Sequence, residues 1–161
     1  MNEIEVFPIQ PGDHRLIQVA ELFRQLYVSE AAFGVSLPLV PDGEKFWLKS
    51  IESKLGKFAQ IVVAADEEKI AGFSYGSIKI TPPYFGSKVV GYWEAMILLP
   101  EYRGRGLGDR MTRMLEDWYR SRNAVIFEGE RLIANKMAAG NFERLGYKEE
   151  LVKYRKPADL Q

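Results

Sequence analysis

A chain of 161 residues, 47% of them apolar and 27% charged, is long enough to bury about two thirds of its unfolded surface and has the composition of a soluble globular protein. Its 22 Lys and Arg residues balance its 22 Asp and Glu residues, which excludes an overall field that would recruit nucleic acid or an anionic membrane. The absence of cysteine excludes disulfides, thiol nucleophiles and cysteine-based metal sites.

The sequence carries no targeting or membrane-spanning signal. The N-terminal residues lack the basic region and apolar core of a signal peptide. No apolar run approaches the ~20 residues that a membrane-spanning helix needs. We therefore expect a cytoplasmic protein in which residues 1–161 form a single domain, with neither nucleic acid nor membrane as a partner.

A strand and two helices are predicted for the first third of the chain. Residues 4–9 alternate between apolar and polar side chains and predict a strand. After a Pro-Gly-Asp turn, in which Asp13 is a suitable N-cap, apolar residues at helical spacing predict a helix over residues 14–33. Two prolines and two glycines in residues 34–43 predict a loop, and a second helix follows over residues 44–55.

The remainder of the chain predicts five more strands and two more helices. They are strands at 59–65, 69–80 and 89–99, a helix from 107 to about 122, a strand at 124–128, a helix at 134–145 that Gly146 ends, and a last strand at 147–156. The order is β-α-α-β-β-β-α-β-α-β. Antiparallel hairpins followed by strand–helix–strand crossovers predict an α/β (α+β) fold with a mixed central sheet and helices on both faces.

The strongest functional signal lies in residues 98–109, with the sequence LLPEYRGRGLGD. Pro100 ends an apolar strand, and three glycines, Gly104, Gly106 and Gly108, fall within five residues just before a helix. Glycines allow close backbone approach, and the first N–H groups of a helix lack intrahelical partners and carry partial positive charge. This arrangement predicts a binding site for phosphate oxygens.

The glycine turn has three other interpretations. A dinucleotide-binding fingerprint requires G-x-G-x-x-G after the first strand, whereas Gly104-x-Gly106-x-Gly108 has a different spacing and follows a later strand. A nucleoside-triphosphate loop requires G-x-x-x-x-G-K-[ST], which the sequence does not contain. The third is a tight turn without a ligand, for which Arg103 and Arg105 would be of little use, although both suit phosphates.

Two motifs resemble those of the GNAT superfamily of N-acetyltransferases. Arg103-x-x-Gly106-x-Gly108, preceded by Pro-Glu-Tyr at 100–102, resembles its acetyl-CoA-binding motif. The pattern N-x-x-A-x-x-x-F-x-x-x-G-Y starting at Asn135 resembles its second motif, which usually ends in Gly-Phe. The predicted element order also matches, so the resemblance spans nearly the whole chain and implies the GNAT-like three-layer fold.

The resemblance implies acetyl-CoA as a co-substrate. It implies that the pyrophosphate lies on the backbone amides of the turn, and that the pantetheine arm pairs with the preceding strand and contacts the second motif. The residues implied are Met96, Ile97 and Leu98 in the strand, Arg103, Gly104, Arg105, Gly106, Leu107, Gly108 and Asp109 in the turn, and Asn135 in the second motif. For Asn135, the role of an ordinary residue at a helix N-terminus is the alternative. No His, Asp and Glu cluster has the spacing of metal ligands, so no metal is expected.

Glu94 is the candidate general base. It lies within the otherwise apolar residues 91–96, nine positions before Arg103. A carboxylate in a central strand is costly unless it faces a polar cleft or a partner, and partial burial would suit a base. Its spacing to the turn resembles that of the glutamate proposed as base in spermidine/spermine acetyltransferases. A strand carboxylate paired with an arginine or facing solvent is the alternative.

The sequence departs from the family pattern at the position of the general acid. Relatives usually carry a tyrosine seven positions after the motif asparagine, whereas this chain has Phe142, which has no proton to donate. Tyr147 lies beyond Gly146, and we do not assign it this role. The thiolate then leaves unassisted or through water, another hydroxyl replaces the tyrosine, or catalysis is weak.

The acceptor is expected to be a primary amine of a small molecule or of a protein. In this fold the acceptor usually enters opposite the cofactor, and aromatic side chains are candidates to line that pocket: Tyr27, Tyr84 and Trp93. Each is also a normal packing residue. The leading hypothesis is an N-acetyltransferase, the alternative is an acyl-CoA-binding sensor or scaffold of the same fold with little turnover, and a homodimer is compatible with both.

Overall fold

The computed structural model describes residues 3–159 of the chain, which form one sheet with helices on both faces. The helices are α1 (Leu16–Glu30), α2 (Gly43–Ile51), α3 (Leu107–Ser121) and α4 (Lys136–Arg144). The strands are β1 (Glu5–Pro8), β2 (Ala59–Asp66), β3 (Lys69–Ile80), β4 (Val89–Leu98) and β5 (Ile126–Gly129). Within these residues, no helix is long and apolar enough to cross a membrane.

The sheet has the strand order β1-β2-β3-β4-β5. Pairing is antiparallel from β1 through β4, and β4 and β5 are parallel, with α3 as the crossover between them. The mixed sheet expected from the sequence is therefore confirmed.

The sheet buries both of its faces because its inner strands are apolar on both sides. On β2, Ile61 and Val63 pack into a core beneath α1 and α2, whereas Val62 and Ala64 pack into a second core beneath α3. A strand that is covered on both faces becomes a continuous apolar run rather than an alternating one. Two apolar layers therefore hold β4 between them, with the glycine turn at its end.

The ring of Tyr119 on α3 accounts for two of the glycines in the sheet. Tyr119 is fully buried, and its hydroxyl donates a hydrogen bond of 2.8 Å to the Tyr92 carbonyl. A Cβ atom on Gly91 would lie 2.4 Å from the Tyr119 ring, and one on Gly76 would lie 1.7 Å from its hydroxyl oxygen. The two strands thus need glycine here because the ring lies directly on their backbone.

We expect Gly91→Ala to lower the free energy of unfolding by about 3 kcal/mol, because an overpacked core must shift backbone or side chains. Urea unfolding followed by circular dichroism measures this change. Gly140→Ala is the matched control, since nothing lies within 4 Å of a Cβ on Gly140 in α4 and the substitution should be neutral or stabilising. Equal stability of the two variants would contradict the packing assigned to Tyr119.

The predicted last strand is wrong. Residues 147–156 form no strand, and apolar side chains such as Leu151 are largely exposed, at 87% for that residue. The segment is held instead by ion pairs of Glu149 with Arg131 and of Lys153 with Glu130. Its apolar side chains suit a strand, but a strand also requires a neighbouring edge in register, so tertiary context overrides local propensity.

The start of α1 also differs from its prediction. The helix begins at Leu16, and no side chain caps it. Asp13 instead accepts a hydrogen bond of 2.9 Å from the Arg15 backbone N–H and forms an ion pair with the Arg15 guanidinium. These hydrogen bonds with Arg15 lower the pKa of Asp13 to about 2, so the carboxylate organises the turn before the helix rather than its first turn.

Candidate functional site

The sheet opens where β5 ends. The β4–β5 ladder stops at the pair of Trp93 and Gly129, whereas β4 continues to Leu98. Beyond Trp93, β4 is therefore paired on one side only, with β3. On the other side no strand pairs with its backbone, as at an edge strand, and the Leu98 carbonyl there accepts a hydrogen bond from Arg103 Nε.

Backbone direction decides which residues of β4 face this opening. The Leu99 N–H donates a hydrogen bond of 2.9 Å to the Ala71 carbonyl in β3, and the Ile97 carbonyl lies against Gly72 in β3. Because successive residues of a strand direct their N–H and C=O groups to opposite sides, Met96 and Leu98 face the opening. Ile97, expected from the resemblance to bind the cofactor through its backbone, lies in the β3 ladder instead.

The glycine turn places backbone N–H groups at the end of that opening. Gly104 and Gly106 have φ angles of 75° and 72°, in the left-handed region where glycine is favoured, and Gly106 is the N-cap of α3. The first helical hydrogen bond runs from the Arg110 N–H to the Gly106 carbonyl. The N–H groups of Leu107, Gly108 and Asp109 precede it, have no intrahelical acceptor and point toward the N-terminal end of the helix.

Gly108 has no structural requirement for glycine. Its φ angle is not positive, and an added Cβ atom would meet only the Met96 Cε atom, at an ordinary 3.7 Å. An alanine or larger residue would also favour the helix more than glycine does. The free space beside the first turn of α3 is what a phosphate group needs in order to approach the backbone.

Hydrogen bonds and an ion pair within the protein hold the charged side chains of the turn. Arg103 Nε donates a hydrogen bond of 3.0 Å to the Leu98 carbonyl, and Arg105 Nη2 donates one of 3.1 Å to the Glu101 carbonyl. Asp109 forms an ion pair of 2.6 Å with Arg144 on α4, and this hydrogen bond lowers the pKa of Asp109. The carboxylate is thus neutralised locally, so it does not oppose an anion at the turn.

Glu94 occupies a β-bulge. Tyr75 pairs with Ala95 and Gly76 pairs with Trp93, so Glu94 between them has no partner on β3. A bulge turns the extra side chain away from the regular alternation of the strand. The side chain is exposed, so Glu94 is open to solvent at the point where the sheet splays.

Tyr75 lies next to Glu94 in the core beneath α1 and α2. Burial, the charge of Glu94 and a hydrogen bond with its carboxylate together raise the pKa of Tyr75. Like any tyrosine, the phenol is protonated at neutral pH, and it is close enough to the carboxylate to orient it. The sequence did not single out Tyr75, because in an apolar strand it is indistinguishable from a packing residue.

Tyr27 on α1 is close to the same carboxylate. Burial raises the pKa of Tyr27, and the negative charges of Glu30, Glu94 and Glu130 raise it further. Burial also raises the pKa of Glu30. The structure thus brings the candidate acceptor residue Tyr27 and the candidate base together, within reach of two further carboxylates.

The two other candidate acceptor residues, Trp93 and Tyr84, lie apart from Tyr27 and Tyr75. Trp93 donates from Nε1 to Ser74 Oγ at 2.8 Å and packs edge-on against Phe142 at 4.9 Å, on the face covered by α3. It faces away from Tyr75 because it pairs with Gly76, the next residue of β3, and successive strand residues point to opposite faces. Tyr84 is 81% exposed on the β3–β4 connection, at the opposite end of β4 from the turn.

The second motif forms the start of α4 and its packing. Asn135 is the N-cap of α4, where its Oδ1 atom accepts a hydrogen bond of 3.1 Å from the Ala138 N–H. Phe142 packs against Trp93 at the point where β4 and β5 separate. The Tyr147 hydroxyl donates to Glu116 Oε1 at 2.9 Å, so it is engaged on α3.

Comparisons with known proteins identify the family of this chain and structures that share its fold. The model of the acetyltransferase (GNAT) family matches residues 20–147. Solved structures share the fold, although their sequence identity is low. The aminoglycoside acetyltransferase AAC(6')-Iy, in complex with a bisubstrate analogue of CoA and acetylneamine, is 17% identical over 98% of this chain and 100% of its own, with a TM-score of 0.76.

Two further structures extend the comparison. A mutant of the BH1408 protein from Bacillus halodurans is 16% identical over 95% of this chain and 98% of its own, with a TM-score of 0.78. The aminoglycoside acetyltransferase HMB0005 from an uncultured soil sample is 15% identical over 98% of this chain and 100% of its own, with a TM-score of 0.72. No curated protein gives a significant match. Because the family model spans most of the chain, the protein belongs to the acetyltransferase (GNAT) family and is an acyltransferase.

Proposed function

We propose that the protein transfers an acetyl group from acetyl-CoA to a primary amine by direct attack, with Glu94 as the general base. One observation carries the proposal. The free N–H groups of the glycine turn and the unpaired edge of β4 lie in sequence along one opening, and the bulged Glu94 lies at its far end. The CoA bisubstrate complex of a structural neighbour supports the choice of donor.

The donor fits the opening in two parts. We assign the pyrophosphate to the N–H groups of residues 104–109, where helix N-terminal amides and the guanidinium groups of Arg103 and Arg105 favour negative charge. The pantetheine arm would add to the sheet as an extra strand, using the backbone groups of Met96 and Leu98. Asn135 at the start of α4 is assigned to the other side of the arm, in addition to its role as a cap.

The acceptor must lose a proton before it can attack. Glu94 accepts that proton from the ammonium group, directly or through water, and the neutral nitrogen then attacks the thioester carbonyl. A free backbone N–H on the open edge of β4 stabilises the oxyanion, and the Met96 N–H is the one nearest to the bulge. As the tetrahedral intermediate collapses, the C–S bond breaks, and the attacking nitrogen gives up its second proton, which water relays to the departing thiolate, since Phe142 has none to give; the products are the neutral amide and the CoA thiol.

The remaining assignments are part of the same proposal. Residues 1–161 would act as one domain in the cytoplasm, consistent with a family match over residues 20–147. A small-molecule amine is favoured as the acceptor, because two structural neighbours are aminoglycoside acetyltransferases. A protein amine and a homodimer are left as alternatives for experiment.

The proposal is tested by following release of the CoA thiol from acetyl-CoA against a panel of primary amines. We expect at least one amine to accelerate thiol release, with the acetylated amine detected by mass spectrometry. Tertiary amines of similar size, which have no N–H to lose and form no stable amide, serve as controls for hydrolysis of acetyl-CoA. If acetyl-CoA binds but no amine accelerates thiol release, the alternative of a binding protein without turnover, which Phe142 favours, replaces the proposal.

A further inference from the structure

We propose that the acceptor is a primary amine that carries an apolar body, such as an aryl or alkyl group, and that an apolar groove beside α1 binds that body. This inference rests on the proposed acetyl transfer. It concerns the chemical class of the acceptor, and it separates this chain from acetyltransferases whose acceptors are polyhydroxylated polycations.

The groove lies between α1, the start of α2 and the connection between them. It has a volume of about 350 Å³. Every residue that lines it is apolar or glycine except Tyr27, and the lining residues are Phe23, Tyr27, Leu37, Pro38, Leu39, Val40, Gly43 and Phe46. Leu37 is 72% exposed, so apolar surface that would favour contact with an apolar ligand is left in water.

Aromatic side chains connect the groove to the surroundings of the candidate base. Tyr27 both lines the groove and lies within the electrostatic influence of Glu94. The groove residue Phe23 stacks on Trp47 at 4.0 Å, and Trp47 in turn meets the edge of Tyr75, the partner of Glu94, at 5.4 Å. An amine nitrogen at Glu94 could therefore extend its substituent past Tyr27 into the groove.

The distribution of charge around the groove indicates how many ammonium groups the acceptor carries. Three carboxylates, those of Glu30, Glu94 and Glu130, act electrostatically on Tyr27, and no acidic residue lines the groove itself. Glu130 is already paired with Lys153. A polycation would leave ammonium groups against an apolar wall without a counter-charge, which is costly. A molecule with one charged end and an apolar body matches this arrangement.

The test compares acceptors that differ in apolar length. Across n-alkylamines from ethylamine to hexylamine, we expect kcat/KM to rise about two- to four-fold per methylene, as burial of a CH₂ group implies. We also expect phenethylamine to be a better acceptor than the aminoglycoside neamine. A flat series, or a preference for neamine, overturns the proposal.

A pair of variants locates the effect. Leu37→Asp puts a charge in the groove, and we expect it to lower kcat/KM for phenethylamine about ten-fold or more while leaving ethylamine within about two-fold. Ile17→Asp is the control, because Ile17 is 73% exposed on α1 but does not line the groove. Equal losses for both amines in Leu37→Asp overturn the proposal. So does a change only in oligomeric state, measured by sedimentation, which would make the groove an interface between copies.

Calorimetric binding of phenethylamine separates this inference from the proposed function. If no amine releases thiol but phenethylamine binds the wild-type protein and loses affinity in Leu37→Asp, acetyl transfer fails and the apolar amine site stands. If neamine is acetylated and phenethylamine neither binds nor reacts, acetyl transfer stands and the apolar acceptor is excluded.

Discussion

Replacing Glu94 by glutamine is expected to lower kcat for acetyl transfer about 10²- to 10³-fold, the range for loss of a general base. The amide keeps the size and exposure of the carboxylate at the bulge but cannot accept the ammonium proton. Because the proposed pyrophosphate site lies beyond the C-terminal end of β4 and away from the bulge, we expect the affinity for acetyl-CoA to be unchanged. Steady-state assays of thiol release measure kcat, and calorimetric titration measures the affinity for acetyl-CoA.

The pH dependence of this defect gives a sharper readout. A simple alkylamine has a pKa near that of lysine, about 10.4, so the neutral form becomes abundant as the pH rises toward that value and the need for a base declines. The ratio of Glu94→Gln to wild-type rates should therefore increase with pH. Glu128→Gln, an exposed carboxylate on β5, is the matched control. A Glu94→Gln enzyme within two-fold of wild type at neutral pH would falsify the assignment of Glu94.

Gly108→Val is expected to raise the KM for acetyl-CoA about ten- to hundred-fold, which corresponds to the loss of one or two charge-assisted hydrogen bonds. In the free protein a Cβ atom at this position meets only the flexible end of Met96, so we expect stability to change by less than about 1 kcal/mol. Once acetyl-CoA saturates the enzyme, kcat should approach the wild-type value. Initial rates over a range of acetyl-CoA concentrations separate the two parameters.

Gly140→Val supplies the comparison for this variant. Like Gly108, Gly140 is in a helix, but it is on α4 and away from the turn. Nothing lies within 4 Å of a Cβ atom added to Gly140. It should leave the KM for acetyl-CoA unchanged. If Gly108→Val behaves like Gly140→Val, the first turn of α3 does not carry the pyrophosphate, and the glycines serve the turn alone.

Much of the fold followed from local pattern. The periods of 2 and 3.6 residues predicted β3 at its observed bounds and the helices to within a few residues. The glycine turn could be predicted as well, because its signal consists of adjacent residues and depends on the N-terminus of one helix. Local chemistry was sufficient there.

The orientations of side chains on β4, which the sequence did not predict, depend on contacts between residues far apart in the chain. Glu94 is exposed because β3 and β4 pair with a register shift at Tyr75 and Gly76, and register is set by partners across the sheet. Trp93, one residue away, points to the opposite face and packs against Phe142. Neither orientation can be read from β4 alone.

The sequence by itself therefore determined the family pattern, the order of the elements up to α4 and the glycine turn, each of which is encoded in neighbouring residues. Tertiary structure alone decided that residues 147–156 form no strand, that Tyr75 and Tyr27 lie around Glu94, and that an apolar groove begins at Tyr27. The physical reason is that strand register, bulges and grooves arise from long-range packing, in which the free energy of a residue depends on partners far away in the chain.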